Sequence, residues 1–387
     1  MPPRLLTAGE SHGPALVVVV DGLPAGIPFG EEALAGELAR RQAGHGRGPR
    51  ASRTCEQARI VGGVSGGFTT GAPVAVELAN PDPGPGTGPT TPADPVPRPG
   101  HADLALAVKY GSVDFRPHAE RASARETAAR VAGGALAKAF LGCLGVSVGS
   151  HVTAIGGVGV PGWDSSRAAG LDAGGWREIL KAAETSLVRC ADHGAGERMA
   201  TAIDAARVRG DTLGGVFEVI ALGCPAGIGA PGQWDTRLDT RLAGAVMSVP
   251  GVKAVAIGLG FDAAALPGAE AHDAIVPGDG PLGTARSSNR AGGVEGGMTN
   301  GQPVVVRAAM KPIPTLAKPL PSVDLSTGQA CPASKVRGDT CAVPAAGVVA
   351  ETMVAWVLAV SVVEAFGGDT VDAVGRRLAG SPGGGAS

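Results

Sequence analysis

Aromatic side chains are scarce in this chain: 7 Phe, 4 Trp and 1 Tyr make up 3% of 387 residues. Readers of single-stranded nucleic acid stack bases on aromatic platforms, so the composition argues against an OB-fold or RRM-like reader. Charge of one sign is lacking too. A formal net charge of −2 argues against a general nucleic-acid binder and leaves local charge to decide what is bound. The six cysteines (Cys55, Cys143, Cys190, Cys224, Cys331, Cys341) form no C-x-x-C pair and no metal-ligand spacing. Most of them read as small buried hydrophobes, and no metal is expected. No secretory or transit pattern is present, because the first apolar run, Ala15 to Val20, is too short for a signal core. A cytoplasmic location is therefore expected. The glycine-dense stretch Gly292–Gly301 matches neither G-x-G-x-x-G nor the P-loop spacing, which leaves a Rossmann nucleotide site unsupported there. No nucleophile with a matched base stands out.

What the chain does have is 63 glycines and 31 prolines, the mark of many tight turns and close backbone contacts. Val- and Ile-rich stretches at Leu16–Asp21, Ala72–Leu78, Val146–Ile155, Gly215–Leu222, Lys253–Leu259 and Pro303–Met310 read as strands, several with period-2 alternation. Helices are expected over Glu31–Ala43, with Leu34 and Leu38 on one face, over Glu120–Leu144, Asp235–Val249 and Ala342–Phe366. The last is apolar enough to raise a membrane span. Glu351, Thr352 and Glu364 interrupt it and Pro344 suits its first turn, so a buried core helix is expected and no membrane partner. The Pro/Gly/Thr stretch Asn80–Pro99 reads as a long surface excursion within one domain spanning residues 1–379, and residues 380–387 as a disordered tail. Arg-Gly-Asp-Thr occurs at Arg209–Thr212 and Arg337–Thr340 with different flanks, so no repeat is inferred.

Four places join ionisable residues to glycine. In Gly9–Gly13, His12 stands at a strand entry, either as an acid–base group or as a turn histidine bonded to backbone. Arg40, Arg41, Arg47 and Arg50 lie on a helix end and a glycine loop around His45; they suit phosphate or carboxylate, or merely complement the helix dipole. His101 and Asp103 precede Arg121, Ser123 and Arg125, placed in the first turn of the long helix, where they would hold a phosphate or pair with Glu120 and Glu126. The fourth place runs from Asn289 to Thr315, dense in glycine around Gly296 and ending in Lys311-Pro312-Ile313-Pro314-Thr315, and resumes at Arg337. There Asp339 or Thr340 would cap the apolar helix. Together these features fit an enzyme acting on a multiply charged phosphorylated substrate by protonation and electrostatics.

At these residues the sequence resembles the chorismate synthase family. The matching motifs run in order: GESHG (Gly9–Gly13), RPGHAD (Arg98–Asp103), Lys109–Gly111, RASARETAAR (Arg121–Arg130), DTLGG (Asp211–Gly215), GGVEGGMTNGQ (Gly292–Gln302), MKPIPT (Met310–Thr315) and DTCAVPAA (Asp339–Ala346). The Asn80–Pro99 loop and Gly156–Asp192 match poorly. The resemblance implies an α+β fold, a β-α-β sandwich in which antiparallel sheets flank a helical layer, assembled as a homotetramer. It implies a 1,4-anti elimination of phosphate from 5-enolpyruvylshikimate 3-phosphate to chorismate, the last step of the shikimate pathway to the aromatic amino acids. The family requires reduced FMN without net redox change; whether NADPH or an outside source reduces the flavin stays open. By position, His12, His101 and Asp339 would be catalytic, and Arg41, Arg47, Arg125 and Arg337 would bind substrate. Arg121, Ala122, Ser123, Gly296, Lys311, Pro312, Ile313, Pro314, Thr315 and Arg337 would contact the flavin. Two departures stand out. Gly338 replaces a larger residue, implying a looser loop around Asp339, and Pro250-Gly251 replaces a small polar-Ala pair, leaving those two outside the expected site.

Overall fold

The computed structural model describes residues 2–48, 56–80, 93–334 and 338–383. Two antiparallel sheets enclose a layer of helices. The first is four-stranded, in the spatial order Arg4–Ala8, Ala15–Asp21, Val74–Ala79, Gln57–Gly62. The second is five-stranded, in the order Val252–Ile257, Val304–Met310, Gly215–Leu222, Ser147–Ile155, Val158–Gly159. Alternation explains the first sheet: Leu16, Val18 and Val20 point inward, as do Val74, Val76 and Leu78, while the residues between them are partly exposed. The expected β-α-β sandwich is the fold.

Between the sheets lie the Glu31–Gln42, Thr127–Gly142, Leu238–Met247 and Val343–Phe366 helices, and one continuous apolar cluster runs from the first sheet through them to the second. Val343–Phe366 is long and apolar enough to cross a membrane, yet it is enclosed, with Val348, Ala350, Val354, Ala359 and Val362 fully buried. It approaches Thr127–Gly142 closely because Gly134 offers no side chain. A Cβ there would lie 2.3 Å from Thr352 Cβ. The carboxylate interrupting this helix is also accounted for. Glu351 is fully buried and accepts hydrogen bonds from Arg40, Lys138, Arg189 and Ser150, which ties the helix to four neighbouring segments.

Three sequence expectations change. The helix expected over Glu120–Leu144 is broken: a short helix at Arg116–Arg121, a 3-10 turn at Ala124–Glu126 and the long helix from Thr127. Arg121, Ser123 and Arg125 therefore precede the long helix instead of forming its first turn. Asp339 and Thr340 do not cap the core helix, whose N-cap is Ala342 without a side-chain bond. The chain also carries an internal repeat. G-G-V-x-G-G-x-T-x-G-x-P-V-x-V occurs at 62–76 and at 292–306, and Pro-Ala-Gly-Ile precedes each, at 24–27 and 225–228. The copies bond alike: Thr69 Oγ1 accepts from Ile27 N–H and donates to the Pro24 carbonyl, as Thr299 Oγ1 does with Ile228 and Pro225. Each copy turns through two glycines at positive φ, Gly66-Gly67 and Gly296-Gly297.

The Asn80–Pro99 loop lies mostly outside the described residues, as do Arg50, Arg337 and the end of the tail. Gly380 to Gly383 are described, and a Cβ at Gly383 would press on the Ala226 carbonyl at 2.3 Å.

Candidate active site

A cavity of about 550 Å³ opens at one end of the helical layer. Loop and helix ends from both sheets supply its walls: Ser11 and His12, Arg41 to Gly48, Arg98 to Ala102, Ala122 to Thr127, Val249 to Lys253, Met310 to Thr315, and the start of the core helix up to Val349. Positive charge dominates. Arg41, Arg47, Arg98, Arg125, Lys253 and Lys311 line it, against Glu56 and Asp339.

Arg41 is buried at the C-terminal end of its helix. Its Nε donates to Thr127 Oγ1 and its Nη2 to the Ala124 carbonyl, each at 3.0 Å. Glu56 lies 3.4 Å from Arg41 Nη1 and 3.9 Å from Arg125 Nε, so one buried carboxylate serves two guanidinium groups. Burial lowers the Arg41 pKa; Glu56 opposes this, while Arg47 and Arg125 add to it. A cation disfavoured by its own surroundings gains most from an incoming anion. Asp339, despite the neighbouring Gly338, is held firmly: Arg47 Nη1 donates to it at 2.5 Å and Gly48 N–H at 2.6 Å. Arg47 Nε is buried without a hydrogen-bond partner among the described residues.

Both catalytic histidine candidates reach this cavity, each with a carboxylate behind it. His12 Nδ1 is 2.8 Å from Glu120 Oε2, which also accepts the His12 backbone N–H at 2.9 Å. Burial raises the Glu120 carboxyl, but the hydrogen bonds from His12 outweigh it and the net shift is downward. His101 Nδ1 bonds Asp103, which is fully buried at the start of the Asp103–Tyr110 helix and clamped by Arg98 through Nε at 2.7 Å and Nη2 at 3.0 Å. Burial pushes Asp103 up, but His101 and Arg98 prevail and hold it well below the usual carboxylate range.

Of the residues singled out in the sequence, the structure brings His12, His101, Asp339, Arg41, Arg47, Arg125, Ala122, Ser123 and the whole Lys311–Thr315 run to one cavity. Arg121 is not among its walls. Its guanidinium donates to the Thr7 and Gly9 carbonyls, fastening the strand that leads to His12. Gly296 is absent as well; it occupies the exposed turn of the repeated hairpin, which explains the glycine density there. Arg40 and His45 turn elsewhere, to Glu351 and Asp204. Pro250 and Gly251, expected outside the site, line it. Glu56 was missed because nothing local marks a carboxylate that acts only once two distant arginines meet it. Arg98 appeared only as part of the RPGHAD motif and Asp103 only beside His101; their short separation in sequence is the signal that could have joined them.

The cavity fits a flavin with a phosphorylated substrate. Its lining mixes apolar surface (Val249, Pro250, Met310, Pro312, Ala345, Val349) with hydroxyls and cations (Ser123, Thr315, Lys311), and the unpartnered Arg47 Nε adds a donor suited to an anion.

The sequence profile of the chorismate synthase family matches residues 4–363. A chorismate synthase of Moorella thermoacetica is 52% identical over 385 residues, covering 97% of each chain. One from Saccharopolyspora erythraea is 49% identical over 394 residues, covering 97% of this chain and 96% of its own. A crystal structure of chorismate synthase superposes with a TM-score of 0.80 at 41% identity, covering 97% of this chain and 96% of its own. A profile and relatives that span nearly the whole chain, joined to a structural match of the same extent, show that this chain belongs to the chorismate synthase family and is a lyase.

Proposed function

We propose that this lyase removes phosphate from 5-enolpyruvylshikimate 3-phosphate by 1,4-anti elimination to give chorismate, with reduced FMN as cofactor. The observation that carries the reading is the gathering of Arg41 and Arg125 around the shared carboxylate of Glu56, with Arg47 on Asp339, in a cavity that both histidines line. Ala122, Ser123 and Lys311 through Thr315 would hold the flavin, with Arg121 anchoring the segment that carries Ala122 and Ser123. Reduced FMN, when bound, supplies electron density that is returned within the turnover, so that it is not consumed.

The chain's own residues do the rest. Arg41, Arg47 and Arg125 bind the phosphate and carboxylates of the substrate, with Arg337 in the same role by resemblance. His101 carries a proton toward the departing phosphate, where negative charge grows in the transition state. His12 keeps a proton on the flavin side of the cavity. Asp339, fixed by Arg47 and Gly48, orients the group that takes the substrate proton. The apolar lining excludes water from these charges and strengthens them. NADPH as reductant, a homotetrameric assembly and a cytoplasmic location belong to the same reading and rest on family likeness.

Arg125→Ala tests the assignment. Expected is a rise in the substrate concentration needed for half-maximal rate of roughly 10-fold to 100-fold, the loss of one or two charge-assisted bonds. FMN affinity should be unchanged. An unaltered substrate dependence would remove Arg125 from the anion site.

A further inference from the structure

Neither Asp103 nor Glu120 lines the cavity, yet each meets the Nδ1 of one histidine that does. Around Asp103 every contact is a donor: the Arg98 backbone N–H and Nε meet Oδ2, while Arg98 Nη2 and His101 Nδ1 meet Oδ1. A carboxylate in that cage is ionised and accepts only, so the nitrogen facing it must carry the proton. Glu120 stands in the same relation to His12: both its oxygens lie within 2.9 Å of Nδ1, and one also accepts the His12 backbone N–H. Nε2 has no protein partner on either ring among the described residues.

We propose that Asp103 and Glu120 are positioning residues, each fixing the proton of one histidine on Nδ1 so that Nε2 is the atom presented to the cavity. The proposal rests on the reading that His12 and His101 transfer protons. Its physical content lies in what competes with the carboxylate. Arg98 Nη2 sits 3.2 Å from His101 Nδ1 and is held off that nitrogen's lone pair only because Asp103 requires a proton there. With the carboxylate neutralised, Arg98 can donate to Nδ1, the ring proton moves to Nε2, and the neutral imidazole has no Nε2 lone pair left to take up the proton it must deliver. For His12, an amide at position 120 can turn its NH2 to Nδ1 with the same result. Arg98 thus acts twice over, orienting the carboxylate and punishing its loss.

The test uses the full chain labelled with 15N-histidine, with two-bond 1H–15N correlation reporting which ring nitrogen is protonated. His101→Gln and His12→Gln identify the two signals among the seven histidines. Asp103→Asn should move the His101 proton from Nδ1 to Nε2 while leaving His12 unaltered. Turnover should drop by about 10²-fold to 10⁴-fold with little change in substrate KM. Glu120→Gln should do the same to His12 alone, and Glu120→Asp should restore the Nδ1-protonated form in part. An unchanged tautomer in both Asp103→Asn and Glu120→Gln would overturn the proposal. So would a rise in KM that accounts for the whole loss. Should Asp103→Asn fail to fold, Glu120→Gln carries the test, because Glu120 is partly exposed where Asp103 is not. The tautomer is read without turnover, so a wild type that eliminates no phosphate would refute the functional reading and leave this one standing.

Discussion

Replacing Glu351 by glutamine probes how the core helix is held. Glu351 is fully buried, and its carboxylate accepts from Arg40 at 2.7 and 2.9 Å, Arg189 at 3.0 Å, Lys138 at 3.1 Å and Ser150 at 2.6 Å. Burial alone would raise its pKa, but Lys138, Arg40 and Arg189 outweigh burial and bring it to about 2. The drop from the usual 4.5 corresponds to about 3 kcal/mol of stability at neutral pH. Breaking a buried ion pair by removing one partner costs about 3–5 kcal/mol, which agrees. Glutamine keeps the volume and loses the charge. Arg40 and Lys138 keep Glu37, and Arg189 keeps Glu184, so the loss should fall at the lower end, about 3 kcal/mol.

The pH dependence has a definite sign. A carboxyl whose folded pKa is depressed contributes fully above its unfolded value and progressively less as pH falls toward the folded one. The wild type therefore loses this increment between pH about 4.5 and about 2, and the Gln variant has none to lose. Urea unfolding followed by circular dichroism at pH 7 and pH 4 should show the gap narrowing by about 1 kcal/mol on acidification. A loss below about 1 kcal/mol at pH 7, the scale of an exposed pair, would refute the reasoning. A gap that stays constant down to pH 4 would refute it equally.

Gly134→Val should destabilise by about 3 kcal/mol or more, since its Cβ would enter the space of Thr352, whereas Gly142→Ala on the same helix, with open space around it, should be near neutral by the same unfolding assay. His101→Ala should lower turnover by about 10²-fold or more while FMN affinity, measured by flavin fluorescence, stays within a small factor; collapse of flavin binding with turnover per bound flavin intact would reassign His101.

Much of this architecture is written in local patterns. Val and Ile richness placed six strands within one or two residues of their bounds; in the first sheet alternate residues such as Val18 meet the core, while Ser147–Ile155 and Gly215–Leu222 in the second are buried on both faces and read as apolar runs. The strands at Arg4–Ala8 and Gln57–Gly62 were not legible. Both lie at the edge of the first sheet with every residue partly or fully exposed, and only Leu5 on one and Ala58 and Ile60 on the other pack against the core, too few to mark an apolar stripe. The break at Ala122–Glu126 was hidden by an alanine-rich composition that favours helix throughout; at it Arg41 donates to the Ala124 carbonyl, 83 residues away in the chain, and to Thr127 Oγ1, contacts that no local pattern announces. The repeat was not legible because its copies share turn glycines and one threonine without an apolar stripe, and their likeness shows in the matching threonine bonds.

For the site, the motifs carried the named roles, and the fold decided which of them share a cavity. Arg125 and Arg41 meet only because Glu56 stands between them, and no spacing announces that. Arg121 and Gly296 show the converse. Each lies in a specific motif, yet one fastens a strand and the other turns a hairpin.

The most direct measurement mixes the protein anaerobically with chemically reduced FMN and 5-enolpyruvylshikimate 3-phosphate and follows chorismate absorbance together with phosphate release. Elimination without net redox change predicts many turnovers for each flavin, with phosphate and chorismate formed in equal amounts and the flavin still reduced at the end. One flavin oxidised per product would contradict it and mark a net reductase, and flavin bound with no product at all would mark a protein that has kept the cavity and lost the reaction.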